Sequence, residues 1–367
     1  MRNYMYLTTF TLLTGSALAQ NIGGDNKPAP TTPAKVAPVT TTTQPPVPAT
    51  KPAAATPTAT TPTATTPAAT TPVTTTPAST TPLTTPAAPP VEKPDNNLKI
   101  SGGYSHQFNT SIEGSGSYTA DRAFFGISSR YTLTETVTLS VGVAYEYDYY
   151  NFTGNSVFAT AAWNNVETLG ILPRFDIRLN DHWSVGAAPL LQMSGESNAS
   201  AGKTITGGAL VNFRYAFDET HVLGLGLLAK GQLNNSVLVV PVPIVDWEIK
   251  KGLRISNVRG PEANPFVGLE LVQELSTQFN AALGGAWEYR MFRLDDSAPL
   301  ANGAGLEQQI TMYGRLEWKP VPQFRVDFLA GAAVMNQLKL YDSSNNFIGS
   351  EDGGTSLVLG VFASYKF

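Results

Sequence analysis

Charged side chains recur two residues apart along otherwise apolar stretches of this chain: Glu146/Asp148, Arg174/Asp176/Arg178, Glu288/Arg290, Arg315/Glu317 and Arg325/Asp327. In an extended strand, residues i and i+2 lie on the same face, so each set points to one side. Arg130, Arg214, Lys230 and Glu270 occupy equivalent places in neighbouring segments. Two kinds of chemistry suit such a face. Either it is wet, and screened charges line a path for solutes, or it is packed, and the charges pair because an unpaired buried ion is too costly. Acids and bases nearly balance, which argues against strong preference for anions or cations.

Other chemistries are poorly supplied. The chain has three histidines. His182 and His221 fall at expected turns, and His106 at the expected end of a strand. None sits mid-strand beside a serine with an orienting partner, as nucleophilic catalysis requires. Cysteine is absent and no His/Asp/Glu cluster has ligand spacing, so neither a metal centre nor any cofactor is expected. Asp342 to Asp352 resembles a calcium loop in passing, but its ligand spacing and closing acid are wrong. A net charge of −4 with 14% charged residues argues against a nucleic-acid partner.

The elements that must hold these charges are strands. From Leu98 onward, period-two alternation is broken by polar punctuation, giving strands near 98–108, 121–133, 136–150, 165–180, 182–193, 203–217, 220–233, 243–250, 253–259, 265–275, 278–293, 307–319, 323–340 and 355–367. Tight turns, such as Asn180-Asp181 and Asp218-Glu219, alternate with longer Gly/Asn/Ser-rich connections. Within 307–319, Met312, Leu316 and Trp318 oppose Arg315, Glu317 and Lys319; within 323–340, Phe324, Val326 and Phe328 oppose Arg325, Asp327, Met335, Gln337 and Lys339. Strands in soluble sheets usually run about 5–6 residues, whereas many of these exceed ten, the length that crosses lipid at a tilt. The expectation is an all-β fold: a transmembrane antiparallel β-barrel of about fourteen strands (12–16). Tyr145, Tyr147, Tyr149, Trp287 and Tyr289 are expected to form an aromatic girdle near the long-loop end. Val239 to Trp247 breaks the pattern: Pro241 and Pro243 cannot donate to a central ladder, so a loop or an edge bulge is expected there.

Both ends of the chain agree with this class. The last twelve residues alternate, with Leu357, Leu359, Val361, Ala363, Tyr365 and Phe367 on one face. Tyr365 and the final Phe367 resemble the C-terminal signal by which bacterial outer-membrane barrels are recognised for assembly. Residues 1–19 read as a cleaved signal peptide, with Arg2 before an apolar core and Ala17-Leu18-Ala19 as a small-residue cleavage site. Residues 20–96 form a Thr/Pro/Ala-rich linker, with a proline at every fifth residue from Pro57 to Pro82. That composition cannot build a core and is expected to be disordered, either as a plain spacer or as a tether across the periplasm or cell-wall mesh. The barrel is then 97–367.

The phrases LNDHWSVGAAPLLQMSGE (179–196), VLVVPVPIVDWEI (237–249), AWEYRMFRLDD (286–296) and FRVDFLAGAAVMNQLKLYDSSNN (324–346) resemble an uncharacterised family of bacterial outer-membrane β-barrels, a domain of unknown function. The Pro-x-Pro-x-x-Asp-Trp segment is the most specific of them. The resemblance implies the fold and the cell outer membrane and supplies no catalytic residues. The leading expectation is a passive or weakly selective pore for small solutes. The alternative is a closed structural barrel whose loops or periplasmic tether bind cell-wall or surface partners; a lipid-active barrel enzyme is third. Outer-membrane lipid, the barrel-assembly machinery, and peptidoglycan or a periplasmic partner of the linker are the expected partners.

Overall fold

In a computed structural model the chain is described over residues 97–367, apart from 115, 156–157, 159–162 and 259–265; the expected signal peptide and linker lie outside the described residues. Fifteen strands follow in order: β1 (Asn97–Ile112), β2 (Gly116–Thr132), β3 (Val137–Gly154), β4 (Asn165–Arg178), β5 (Trp183–Glu196), β6 (Ile205–Ala216), β7 (His221–Gly231), β8 (Val237–Lys250), β9 (Leu253–Asn257), β10 (Phe266–Glu274), β11 (Phe279–Arg293), β12 (Ala304–Val321), β13 (Phe324–Tyr341), β14 (Phe347–Gly353) and β15 (Ser356–Lys366). Each pairs antiparallel with its neighbours, and β15 closes the ring by pairing with both β13 and β1. β14 pairs with the upper part of β13, and β15 with the lower part, so the two are one stave interrupted at 354–355. Fourteen staves result. Closure gives each stave a hydrogen-bonded neighbour on both sides, the arrangement by which strands cross lipid.

The alternation works as the residue pattern requires. Met312, Leu316, Phe328, Val211, Phe213, Leu225, Leu359 and Val361 are exposed on the outer wall, while Glu270, Glu288, Glu317 and Asp327 are buried in the interior. Charge inside and apolar bulk outside is the reverse of a soluble sheet. Aromatic rings band the outer wall at the short-turn end: Trp183 packs on Tyr215 at 4.8 Å, Tyr215 on Phe217 at 4.8 Å, and Phe217 on Trp247 at 5.7 Å. Tyr365 and Phe367 continue it, 4.8 Å apart. Amphipathic rings favour the polar boundary of a bilayer.

The structure corrects several expectations. Residues expected to be loop at 109–112 and 116–120 are strand, so β1, β2 and β3 run 16, 17 and 18 residues. Those lengths exceed the 9–11 residues or so that lipid requires, and the barrel projects past an apolar band on the long-loop side. His106 therefore lies inside β1, with its Nδ1 2.7 Å from Asp121. The Val239–Trp247 segment is neither loop nor bulge: it pairs in continuous register with β7, with Pro241 opposite Leu227 and Pro243 opposite Leu225. The prolines survive because their missing N–H groups face away from β7. On that other edge β9 pairs only as far as Asp246, and the Asn257 side chain takes the place of a strand, accepting from Val245 N–H at 2.9 Å and donating to the Pro243 carbonyl at 2.7 Å.

Met335, Gln337 and Lys339 were expected on the inner face of β13. Met335 instead adopts a left-handed backbone, φ 52°, at a bulge where the register with β12 slips. One extra residue reverses the parity beyond it. Met335 is thrown outward, and Leu338 and Leu340 become the buried residues. Tyr289 is likewise no girdle residue: it is buried against Leu233 and donates to Gln232 Oε1 at 2.7 Å.

Candidate functional site: the barrel interior

Apart from Lys339, which the Met335 bulge turns outward, the charged residues expected to line the interior lie on the inner face, but they divide into separate groups. In the long-loop half, the β2, β3, β11 and β12 side chains meet across the lumen. Arg122 donates to both carboxylate oxygens of Glu307 at 2.8 Å, and Tyr150 adds a hydrogen bond to Glu307 at 2.7 Å. Arg290 donates to Glu146 at 3.0 Å and to Glu288 at 2.7 Å, with Asp148 3.8 Å away. β11 and β3 are almost diametrically opposite, with five staves between them on one side and seven on the other. Arg290 and Glu146 thus bridge the lumen between facing walls. The acids outnumber the bases, with Glu146, Asp148, Glu288 and Glu307 around Arg122 and Arg290.

Above this network, toward the long loops, an apolar plug fills the lumen. Trp163, Phe158, Tyr118, Tyr150, Phe292, Leu294, Leu338 and Leu340 are all sealed from solvent. Trp163 meets Phe292 edge-on at 4.8 Å and Tyr150 at 5.8 Å. Gly305 of β12 makes this possible, since a Cβ there would lie 2.5 Å from the Phe292 ring and 2.8 Å from that of Trp163. The barrel is also pinched here. Gly195, at the end of β5, pairs parallel with Arg293 of β11, and Arg293 donates to the carbonyls of Lys203, Asn302 and Leu233. Three loops are thereby tied to the top of one strand. Lys230, on β7, is buried and bonds Gln192 of β5.

The short-turn half holds two groups against opposite walls. On β10, β12 and β13, Arg315 bridges Glu270 at 2.7 Å, Asp327 at 2.6 Å and Glu317 at 3.2 Å. Arg325 and Lys319 join from the rim, Arg325 2.9 Å from Asp327 and Lys319 2.6 Å from Glu317. Three bases meet three acids. On β2 to β6, Arg174 forks onto Asp176, with Nη2 at 2.8 Å, and Arg214 reaches the same carboxylate. Arg130 and Arg178 line a recess beside them.

Sequence reasoning missed the hub of the upper network. Glu307 is fully buried and contacts Arg122, Tyr118 and Tyr150. Parity alone would have found it, since it lies two residues before the inward Gln309 and four before Thr311. The plug had no comparable signal, because Trp163 and Phe158 come from the β3–β4 connection and nothing local sends a loop aromatic into a lumen.

The closed antiparallel barrel is the fold that the family resemblance implied. No family model and no curated protein matches the chain. Several solved structures align with it. An outer-membrane channel from Pseudomonas putida F1 is 10% identical over 77% of this chain and 100% of its own, with a TM-score of 0.43. A Pseudomonas aeruginosa FadL homologue is 8% identical over 74% and 90%, with a TM-score of 0.39. The KdgM porin is 10% identical over 73% and 99%, with a TM-score of 0.30. Similarity at this level carries no residue-to-residue correspondence.

Proposed function

We propose that the chain is a bacterial outer-membrane barrel whose lumen conducts small polar solutes and rests shut, with its own wall side chains as the gate. Lipid is the partner of the outer wall, as the exposed apolar residues Phe328, Leu359 and Leu225 and the aromatic band support. One observation carries the conduction reading. Among the described residues, the lumen is closed by side chains of the strands and two loops, concentrated in the long-loop half, while the short-turn half stays polar and reached by solvent at Lys319, Asp246 and Arg254. Ion pairs are reversible closures. A barrel that had only to be stable would gain as much or more from apolar packing at these sites, since buried ion pairs are often replaced by hydrophobic groups without loss.

The chain-spanning bond Arg290–Glu146 favours a second reading, the closed structural barrel. Single-channel recording in planar bilayers separates the two. The wild-type barrel is expected to show rare, brief openings, and Glu146→Gln with Glu288→Gln, which loosens Arg290, to raise the open fraction. Silence from both proteins, in barrels shown by heat-modifiable migration to be folded, would leave the structural barrel.

A further inference from the structure

The strand register builds an arginine cradle at the short-turn mouth. Across β2, β3 and β4 the interior rung reads Arg130–Ser140–Arg174, and across β4, β5 and β6 it reads Arg178–Ser184–Arg214. Between these two rungs runs a third, Thr138–Asp176–Gly186–Asn212. Neighbouring strands lie about 4.8 Å apart, so each serine stands between two long cationic side chains and leaves a hollow where another long side chain would fill the space. The recess that results is lined by Arg130, Arg178, Arg214, Thr138 and Ser184, with Asp176 at its floor and Glu135 at its rim.

Charge in this recess does not balance, unlike that on the opposite wall. Four guanidiniums face the carboxylates of Asp176 and Glu135. Asp176 is engaged by Arg174 and Arg214 and fixes their planes. Arg178 donates to the Glu135 backbone carbonyl at 3.3 Å, which anchors its side chain without neutralising it. Arg130 and Arg178 form no ion pair among the described residues, so two positive charges are left over beside hydroxyl donors. Guanidinium groups held in a fixed fork bind carboxylate and phosphate oxygens in pairs. A low-dielectric wall on one side of the recess strengthens that attraction relative to open water.

We propose that this cradle is a binding site for a small oxyanion carrying two negative charges, a phosphate or a dicarboxylate, at the short-turn mouth of the lumen. Arg130 and Arg178 grip its oxygens, Ser184 and Thr138 donate to it, and Asp176 is the positioning residue that sets Arg174 and Arg214. The site does not depend on whether the barrel conducts, because it is reached from the mouth.

Direct binding to the folded barrel in detergent tests this, with inorganic phosphate, succinate and chloride as probes in isothermal titration. Phosphate or succinate is expected to bind, and chloride at equal ionic strength is not. Arg130→Gln and Arg178→Gln are each expected to weaken binding by about tenfold, roughly one lost charge-assisted contact. Arg254→Gln, another arginine of the same mouth but outside the recess, should leave it unchanged. Binding of phosphate but not succinate, or the reverse, names the oxyanion. No binding by either probe, or equal loss in Arg254→Gln, would overturn the site. A barrel that binds but never conducts overturns the channel reading and leaves this one standing.

Discussion

The two halves of the lumen use one residue pattern for opposite ends. In the long-loop half, Arg122, Arg290, Glu146 and Glu307 are nearly sealed from solvent, and their bonds run across the barrel. In the short-turn half, Arg325, Lys319, Arg254 and Arg178 lie along the wall or at the rim and keep contact with water. In the long-loop half the facing walls are drawn together where β11 pairs with β5. Where β11 approaches β3 and pairs with β5, charged side chains can only be paired and dry. Toward the short-turn rim the same alternation produces a hydrated mouth, while the Arg315, Glu270, Glu317 and Asp327 group stays buried against one wall. The lesson is that inward charge on a strand specifies an interior and says nothing about whether that interior holds water.

The sharpest test of this contrast removes one carboxylate from each half. Glu307→Ala strands Arg122 in a dry site and is expected to lower stability by roughly 3–5 kcal/mol, whereas Glu135→Ala, at the exposed rim, should change it by about 0–1 kcal/mol. Urea unfolding in lipid vesicles measures both. Equal losses would mean that the upper network is hydrated and the two halves are alike.

A second test asks whether inside and outside are assigned correctly. Phe328→Arg places a charge on the outer wall of β13 and is expected to cost about 2–4 kcal/mol near mid-membrane. Arg325→Phe, three residues away on the inner face, should fold far better in the same vesicles. Reversal of that order would turn the barrel inside out.

Gly305→Ala probes the plug. Its new methyl group would meet the Phe292 and Trp163 rings at 2.5–2.8 Å, and overpacking of this kind costs about 1–3 kcal/mol. Loss of tryptophan fluorescence anisotropy without loss of β-structure would show a loosened plug on an intact wall. An unchanged protein would mean that the aromatic cluster is not tightly packed.

The smallest effect is expected at the rim. Asp218 accepts the backbone N–H groups of Thr220 at 2.7 Å and His221 at 3.0 Å. The Thr220 bond, then the His221 side chain, hold its carboxyl down to about 2 from an ordinary 3.8. A depressed acid stabilises its turn fully above the ordinary value and loses that contribution as the pH falls from 3.8 toward 2. Amide exchange at Thr220 and His221 should therefore quicken, relative to the chemical rate, over that window. In Asp218→Asn the window should disappear; its persistence would assign the effect to another group.

Much of the architecture can be read from residue order because period-two alternation is a local property. The strand count, the turn positions, the outward face of β12 and the inward placement of Arg174, Asp176 and Arg178 all follow from side chains i and i+2 sharing a face. That code fails wherever one residue is added to a strand. At Met335 the bulge exchanges Gln337 and Lys339 for Leu338 and Leu340 as the inward pair, and no local signal marks the slip. It also fails to say which edge a proline presents: Pro241 and Pro243 sit in a strand because Asn257, from the next hairpin, caps the edge they leave open.

The amino-acid order thus decides that there is a barrel, which residues face outward, and that charge is carried inside. Partnership across the lumen is a matter of three dimensions. Glu307 meets Arg122 across 185 positions in the chain and Arg290 meets Glu146 across 144, separations at which periodicity carries no information. The Arg–Ser–Arg rungs likewise exist only once the register of β2 to β6 is set, since hairpin turns and ring closure, not the spacing within any one strand, determine which residue stands beside which.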